Sequence, residues 1–497
     1  MPSDIANESK LLAKHSFIYG IGNAMNRLVA FLLLPVYTRF LTPEDYGVKE
    51  LIGLSTDVIS ILLATAIAGA IYRFYFEYET EKDRNEVISS AVITIGGIGL
   101  IALGVLYLNT GFFAGLILDS PQLSHFFTIA FVSMWFQSLN NIGYNYLRAN
   151  KKSLHFIGLS FLKMVLVIGL NIYLICFLKL GVLGILVSSL IGAVTMFVLL
   201  VVPLCFRIGL RFSRNKIREM AAFGLPMIPS QLGAFVVHLS DRFFLKEYAS
   251  IADAGLYSLG YRFGALPANF LSDPFNQIWQ PRRFEIYRQE GSEQLFGRIF
   301  TYFLFLMAFA GLGVSVLTHD VLRIIADEKF WAASKVVPII VLATTIFSFH
   351  YHLNFGILIK KKTKYLAYIN FSNAFVVLAL NFLLIPRYGI YGAAFATLAA
   401  FIYKICLTYY FSSRYYTIHF EFLRILKILC AGGLIYYASI LVQPHSPYIS
   451  FLVKSGIVMG YPLILYFLGF YTRDELKRFK SYLKPGLIRI KTLVGRQ

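Results

Sequence analysis

The sequence predicts an all-α polytopic membrane protein of about fourteen transmembrane helices. Three observations carry that prediction. Only 14% of its 497 residues are charged and 57% are hydrophobic, whereas a soluble domain carries about 25% charged residues. The mean hydropathy is +0.65. The apolar residues fall in runs of about 20 without strict alternation, the length and pattern of spanning helices rather than of barrel strands. The 46 Phe and 32 Tyr suit lipid-facing and interfacial positions.

Residues 2–14 read as a short interfacial helix carrying Lys10 and Lys14. The first apolar run has no small-residue cleavage site, so it reads as an uncleaved first span. The predicted spans are 16–38, 48–72, 87–109, 124–146, 154–177, 181–205, 220–244, 254–278, 296–318, 336–358, 365–386, 388–411, 422–442 and 448–470. Alternate connections are basic. Lys82 and Arg84 follow the second span, Arg148, Lys151 and Lys152 the fourth, Arg207 to Arg218 the sixth, and Arg282, Arg283 and Arg288 the eighth. The lysine run 360–364 follows the tenth and Arg414 the twelfth, while 110–123 and 443–447 hold no Lys or Arg. Segment 319–335 departs from this alternation, with Arg323, Lys329 and Lys335 beside Asp320, Asp327 and Glu328. The positive-inside rule therefore places both termini in the cytoplasm.

The net charge of +20 fits this topology. It does not fit nucleic-acid binding, because the basic residues lie in short clusters between apolar runs with no folded basic module. Cys176, Cys205, Cys406 and Cys430 lie in apolar runs without metal or disulfide spacing. His350 and His352, two apart, diverge on a helix and make a poor zinc pair. The glycines of 96–104 lie within a span, where they permit close helix packing. No P-loop or nucleophile elbow is present. The short loops leave no room for a catalytic domain, so the sequence predicts neither an enzyme nor a cofactor or metal site.

A repeat lies within the apolar runs. "NIYLICFLKLGVLGILVSSL" begins at Asn171 and "NFLLIPRYGIYGAAFATL" at Asn381, about 210 residues apart, and each runs into a G-x-x-G pair, Gly181/Gly184 and Gly389/Gly392. "LRANKKSLHF" and "LIKKKTKYLAY" lie upstream at nearly the same offset, and "TRFLTPEDYG" pairs with "DRFFLKEYASIADAG" across a gap. Six spans separate the copies, so the repeat is parallel, and carriers of that kind bind substrate between their halves. The predicted division is an N-terminal lobe 1–205, a cytoplasmic linker 206–218, a C-terminal lobe 219–413, two further spans in 414–471 and a basic cytoplasmic tail 472–497.

Several polar residues sit where apolar ones are expected. Arg27 lies mid-span, where a guanidinium costs about 2.5–3.5 kcal/mol on insertion scales. Asn23, Asn26 and Arg27 share one helix face with Gly20 and Ala30. In the eighth span Ser258, Arg262 and Asn269 share another, with Asp273 at its edge and Pro267 predicting a kink. Arg27 and Arg262 belong to different halves and are expected to face one another. Such faces either line a cavity or make structural hydrogen bonds. Glu50 and Asp57 share a face of the second span. Asp241 ends a stripe with Ser230, Gln231, Ala234 and His238 on the seventh. These carboxylates either carry a coupling H⁺ or Na⁺ or balance the arginines. Lys163 and Lys404 are further mid-span cations.

On "NRLVAFLLLPVYTRFLTPEDYGVKELI", "GLYSLGYRFGALPANFLSDPFNQIWQPRRFE" and "NFLLIPRYGIYGAAFATL", the chain resembles the multidrug/oligosaccharidyl-lipid/polysaccharide exporter superfamily. It is most similar to the polysaccharide-transport branch, flippases of lipid-linked O-antigen and capsule repeat units. The resemblance implies two six-helix lobes around a central cavity, a bacterial inner-membrane location, anionic membrane lipids and polysaccharide polymerase machinery as partners, and no catalytic residues. By likeness to the peptidoglycan-precursor branch, whose paired motifs fall on Asn26/Arg27 and Tyr261/Arg262, Arg27 and Arg262 would bind the substrate pyrophosphate; on the shared helix faces, Asn23, Asn26, Ser258, Tyr261 and Asn269 are expected to line the cavity. The likeness departs at Leu33, where that branch has a second arginine, and at Tyr261, where it has an acidic residue. The expected function is translocation of isoprenyl-pyrophosphate-linked oligosaccharide repeat units to the outer leaflet by alternating access. An H⁺- or Na⁺-coupled drug or metabolite exporter of the same fold is the alternative, and a membrane glycan polymerase a third.

Overall fold

The computed structural model of the protein describes residues 32–442 and 444–477. Among these residues there is no strand, and ten helices are long and apolar enough to cross a membrane. Asn23, Asn26, Arg27 and the interfacial segment 2–14 lie outside the described residues.

The helices follow the expected order. Helix α1 (Leu34–Phe40) is the described end of the first span. Then come α2 (Pro43–Glu77), α3 (Glu81–Leu108), α4 (Ser124–Ala149), α5 (Ser153–Phe177), α6 (Gly181–Ile208) and α7 (Arg214–Leu239). The eighth span is α8 (Ile251–Gly264) and α9 (Asp273–Ile286), joined through a π turn at Ala268–Ser272. That break stands at Pro267, which cannot donate its backbone N–H. Next are α10 (Ser292–Ile325), α11 (Glu328–Ile359), α12 (Lys364–Ser413), α13 (Phe422–Leu441) and α14 (Pro447–Phe467). Helix α12 holds two spans, because Gly389 inside it takes φ +54°.

Local chemistry sets the boundaries. Helix α2 opens with a capping box: the Thr42 side chain accepts from the Asp45 N–H, and Asp45 accepts from the Thr42 N–H at 2.9 Å. Helix α3 opens in a similar way at Thr80 and Asp83. The glycines of 96–104 pack as expected: Trp135 of α4 donates to the Gly96 carbonyl at 3.1 Å, and its ring fills the space a side chain at Gly99 would need.

The repeat is visible in atomic detail. Gly181 and Gly389 both take φ +54° where one span turns into the next, a left-handed conformation that glycine adopts freely. Three residues on, Gly184 packs against Leu174 and Gly392 against Leu384, equivalent partners in the two copies. Tyr37 donates to Asn171 at 3.1 Å, and Asn381 donates to Ser240 at 3.3 Å. These are the same join, first span to fifth and seventh to eleventh, made once in each half.

The described residues form two compact units. One contains the described part of Met1–Leu259, with Ile325–Ala333 and Asn370–Thr397. Its core joins α2, α3, α4, α6 and α7 through buried residues such as Phe74, Ile88, Ile142, Leu200 and Met220. The other contains Gly260–Ile324, Ser334–Ile369 and the described part of Leu398–Gln497. There, α13 and α14 pack on α10 through Phe300, Leu304, Ile428 and Tyr461.

Candidate functional site: a cationic cavity and its polar track

Within the first unit a cavity of about 640 Å³ opens between α2, α4, α5 and α7. Two cations line it, Arg148 near the end of α4 and Lys163 within α5, and none of its lining side chains is a carboxylate. Arg148 lies over the Phe156 ring at 4.8 Å, a cation–π contact that holds the guanidinium at the cavity wall. Among the described residues no carboxylate forms an ion pair with Lys163.

The rest of the lining is neutral and polar. Tyr72 donates to Asn145 at 3.1 Å, which fixes an amide and a phenol at the cavity wall. Asn141, Tyr144 and Gln231 add further hydrogen-bonding groups. Ala68 and Gly69 of α2 keep the cavity open by filling little space. Helix α7 reaches the site because its first turns lie flush on α2: a side-chain carbon at Gly224 would stand 1.8 Å from the Ala66 carbonyl oxygen. The 3₁₀ turn Leu225–Met227 follows, and Gln231 faces the cavity.

Asn141 also lines a second cavity of about 330 Å³ in the same unit, bounded by α2, α4 and α6. This one holds Lys49, Asp57 and Gln137. Gln137 donates to Ser133, which is within 3.2 Å of Ser189. Ser133, Gln137, Asn141, Asn145 and Arg148 thus form one stripe on α4, and the stripe runs about 22 Å along the helix. Sequence reading passed over this stripe, although its spacing of four, four, four and three residues is a helical signal. In the sequence Arg148 counts only among the charges of the connection after the fourth span.

The expected site residues fall in several places. Glu50 is ion-paired with Lys49 at 2.6 Å. Asp57 faces the smaller cavity, and no cation stands within ion-pair distance of it among the described residues. Asp241, far from Gln231 of the same stripe in role, is buried against Arg242 at 2.5 Å. Arg242 also donates to the His238 carbonyl at 2.8 Å and lies over the Tyr257 ring at 5.0 Å, and Thr397 reaches Asp241 at 3.4 Å. Ser258 is buried at 3% exposure. Arg262, Tyr261 and Asn269 are half-buried on α8 and the π turn, and Asp273, also half-buried, opens α9.

The profile of the polysaccharide biosynthesis protein family matches residues 36–325, more than half of the sequence. The chain belongs to the polysaccharide biosynthesis protein family. A relative is Lsg locus putative protein 1 of Haemophilus influenzae, 25% identical over 347 residues, covering 67% of this chain and 81% of that protein. An uncharacterised membrane protein of the same organism is 24% identical over 299 residues, covering 57% and 68% respectively. Among solved structures, the lipid II flippase MurJ in an inward closed conformation superposes with a TM-score of 0.72 at 16% identity, over 91% of this chain and 99% of that one. An inward-facing multidrug resistance transporter of the MATE family and MOP superfamily superposes with a TM-score of 0.59 at 14% identity, over 76% and 93%. This polysaccharide biosynthesis protein is therefore a multi-pass membrane protein with the fold shared by those flippases and transporters.

Proposed function

We propose that the protein translocates isoprenyl-pyrophosphate-linked oligosaccharide repeat units across the bacterial inner membrane, from the cytoplasmic to the outer leaflet. One observation supports this most: the larger cavity presents Arg148 and Lys163 with no lining carboxylate, amid amides and phenols. Guanidinium and ammonium groups pair with pyrophosphate through charge-assisted hydrogen bonds, and amides and tyrosines suit sugar hydroxyls. Arg148 borders the basic connection 148–152, so the cavity lies toward the side where such a substrate is made. The isoprenyl tail stays in the bilayer. The lobes 1–205 and 219–413 rock to expose the site alternately, with both termini cytoplasmic.

Arg27 and Arg262 are the further guanidiniums that neutralise the pyrophosphate on its way, with Asn23, Asn26, Ser258, Tyr261 and Asn269 as contacts along the route. Of the four candidate coupling carboxylates, Asp57 suits the role best. Glu50 and Asp241 are engaged in ion pairs, and Asp273 stands at a helix start in the other unit. Anionic lipids surround the protein, and polysaccharide polymerase machinery would take up the flipped repeat units.

The test is a deletion strain complemented with variants at matched protein level. Arg148→Ala or Lys163→Ala should abolish surface glycan and let lipid-linked repeat units accumulate inside. Normal glycan in both would remove the cavity from the path. The exporter alternative draws its support from Asp57, a carboxylate suited to a cationic drug. Energy-dependent efflux of a cationic dye by the wild type would favour it.

A further inference from the structure

A third cavity, of about 290 Å³, lies in the second unit between α10, α11, α13 and α14. It stands at the ends of these helices opposite the Lys/Arg-rich connections, where basic residues are normally scarce. Yet Arg323, Lys335 and Lys454 line it, with His319, against one carboxylate, Asp320. In the sequence the cations of 319–335 stand beside the acidic residues of the same segment. Asp320, 1% exposed, instead pairs with Lys454 of α14 at 2.9 Å. Asp327 lies 4.0 Å from Lys329. No carboxylate forms an ion pair with Lys335 among the described residues.

The cavity is a built feature rather than a chance cluster. Lys454 is buried and held in place by its pair with Asp320. Ser334 lies 3.0 Å from His319, so the α11 start and the α10 end are tied together at the rim. Arg323 donates to the His445 carbonyl at 3.3 Å, which fixes the guanidinium beside the α13–α14 connection. Three cations against one carboxylate suit a phosphate group.

We propose that this cavity binds the phosphate of an anionic ligand at the surface opposite the basic connections, through Arg323, Lys335 and Lys454. Two sources carry that chemistry: the headgroup of an anionic phospholipid and a soluble phosphate or pyrophosphate. The site is separate from the cavity of Arg148 and Lys163, and two of its four helices, α13 and α14, lie outside the repeat. It does not depend on which substrate the protein carries.

The full-length protein, purified and delipidated, would be titrated with inorganic pyrophosphate and, separately, in nanodiscs with phosphatidylglycerol against phosphatidylcholine. Binding would be read by calorimetry for the first arm and by native mass spectrometry for the second. The wild type should bind in at least one arm. R323Q/K335Q, which leaves the Asp320–Lys454 pair intact, should weaken that binding about tenfold or more with an unchanged melting temperature. Loss in the lipid arm alone identifies a headgroup, and loss in the pyrophosphate arm alone a soluble anion. Equal binding by the double variant, or none by the wild type in either arm, overturns the proposal.

Discussion

Gly47 and Gly255 stand against one another at the starts of α2 and α8. A side-chain carbon on Gly47 would fall 2.0 Å from the Ile251 carbonyl oxygen, and one on Gly255 would fall 2.2 Å from that of Pro43. Pro43 and Ile251 each lie four residues before their glycine, so the contact is the same seen from either half. The parallel repeat thus closes on itself at a backbone contact, on the side away from the basic connections.

That contact leaves no rotamer to relieve a clash. Gly47→Val should lower the melting temperature in detergent by several degrees, corresponding to about 1–3 kcal/mol, and reduce surface glycan. Gly97→Ala is the control, because nothing lies within 4 Å of its added carbon. It should be neutral or slightly stabilising, since alanine favours helix over glycine by about 1 kcal/mol. Equal melting temperatures for Gly47→Val and the wild type would mean the halves do not meet here.

The buried Asp241–Arg242 pair gives a second expectation. Removing one charge leaves the other unpaired inside the protein, at a cost of about 3–5 kcal/mol. Asp241→Asn should therefore destabilise strongly. Asp241→Leu with Arg242→Met should recover most of the loss, because a well-packed apolar pair replaces both charges. Thermal melting of the single and double variants checks this. A double variant as unstable as the single would point to a role for the pair beyond charge balance.

The cavity cations differ in what they ask of a substitution. Arg148→Lys keeps a charge but loses the planar fork that grips a phosphate at two points. It should retain part of the transport that Arg148→Ala loses, measured as surface glycan at matched expression. Full activity in Arg148→Lys would mean that charge alone suffices.

A tail contact makes a pH prediction. Arg424 donates from Nη2 to both carboxylate oxygens of Glu475 at 3.1 Å, and the Tyr302 hydroxyl donates to Glu475 as well. Burial pushes its carboxyl up, but Tyr302, the Thr472 N–H and Arg424 together pull it down further, so its net position is below the ordinary carboxylate range. A depressed value means the clasp is at full strength above the unfolded value and is lost as pH falls through the folded one. Hydrogen-exchange protection of residues 472–477, measured against the intrinsic rate at each pH, should be high at neutral pH and fall as the solution is acidified well below the ordinary glutamate range. Glu475→Gln should show low protection at both. Protection that does not change with pH in the wild type would contradict the clasp.

The spans and the repeat were legible because hydropathy and the paired N-x-x-L-I and G-x-x-G strings are local signals. Pro267 announced the break after Gly264 for the same reason. The α4 stripe was less visible, because Gln137, Asn141 and Asn145 are uncharged and hydropathy averages them away among Phe, Leu and Ile. The partner of Asp241 was hidden for another reason. Neighbours in sequence do not normally face one another on a helix, so nothing in the local pattern marks Arg242 as the partner. The partner of Asp320 lies on α14, in a part of the chain that no repeat links to α10.

Reconstitution in proteoliposomes with a defined isoprenyl-pyrophosphate-linked oligosaccharide tests the central claim most directly. Wild-type protein should move the lipid from one leaflet to the other, while Arg148→Ala with Lys163→Ala, folded and inserted, should leave it where it began. Undiminished movement by that double variant would contradict a cationic cavity as the route.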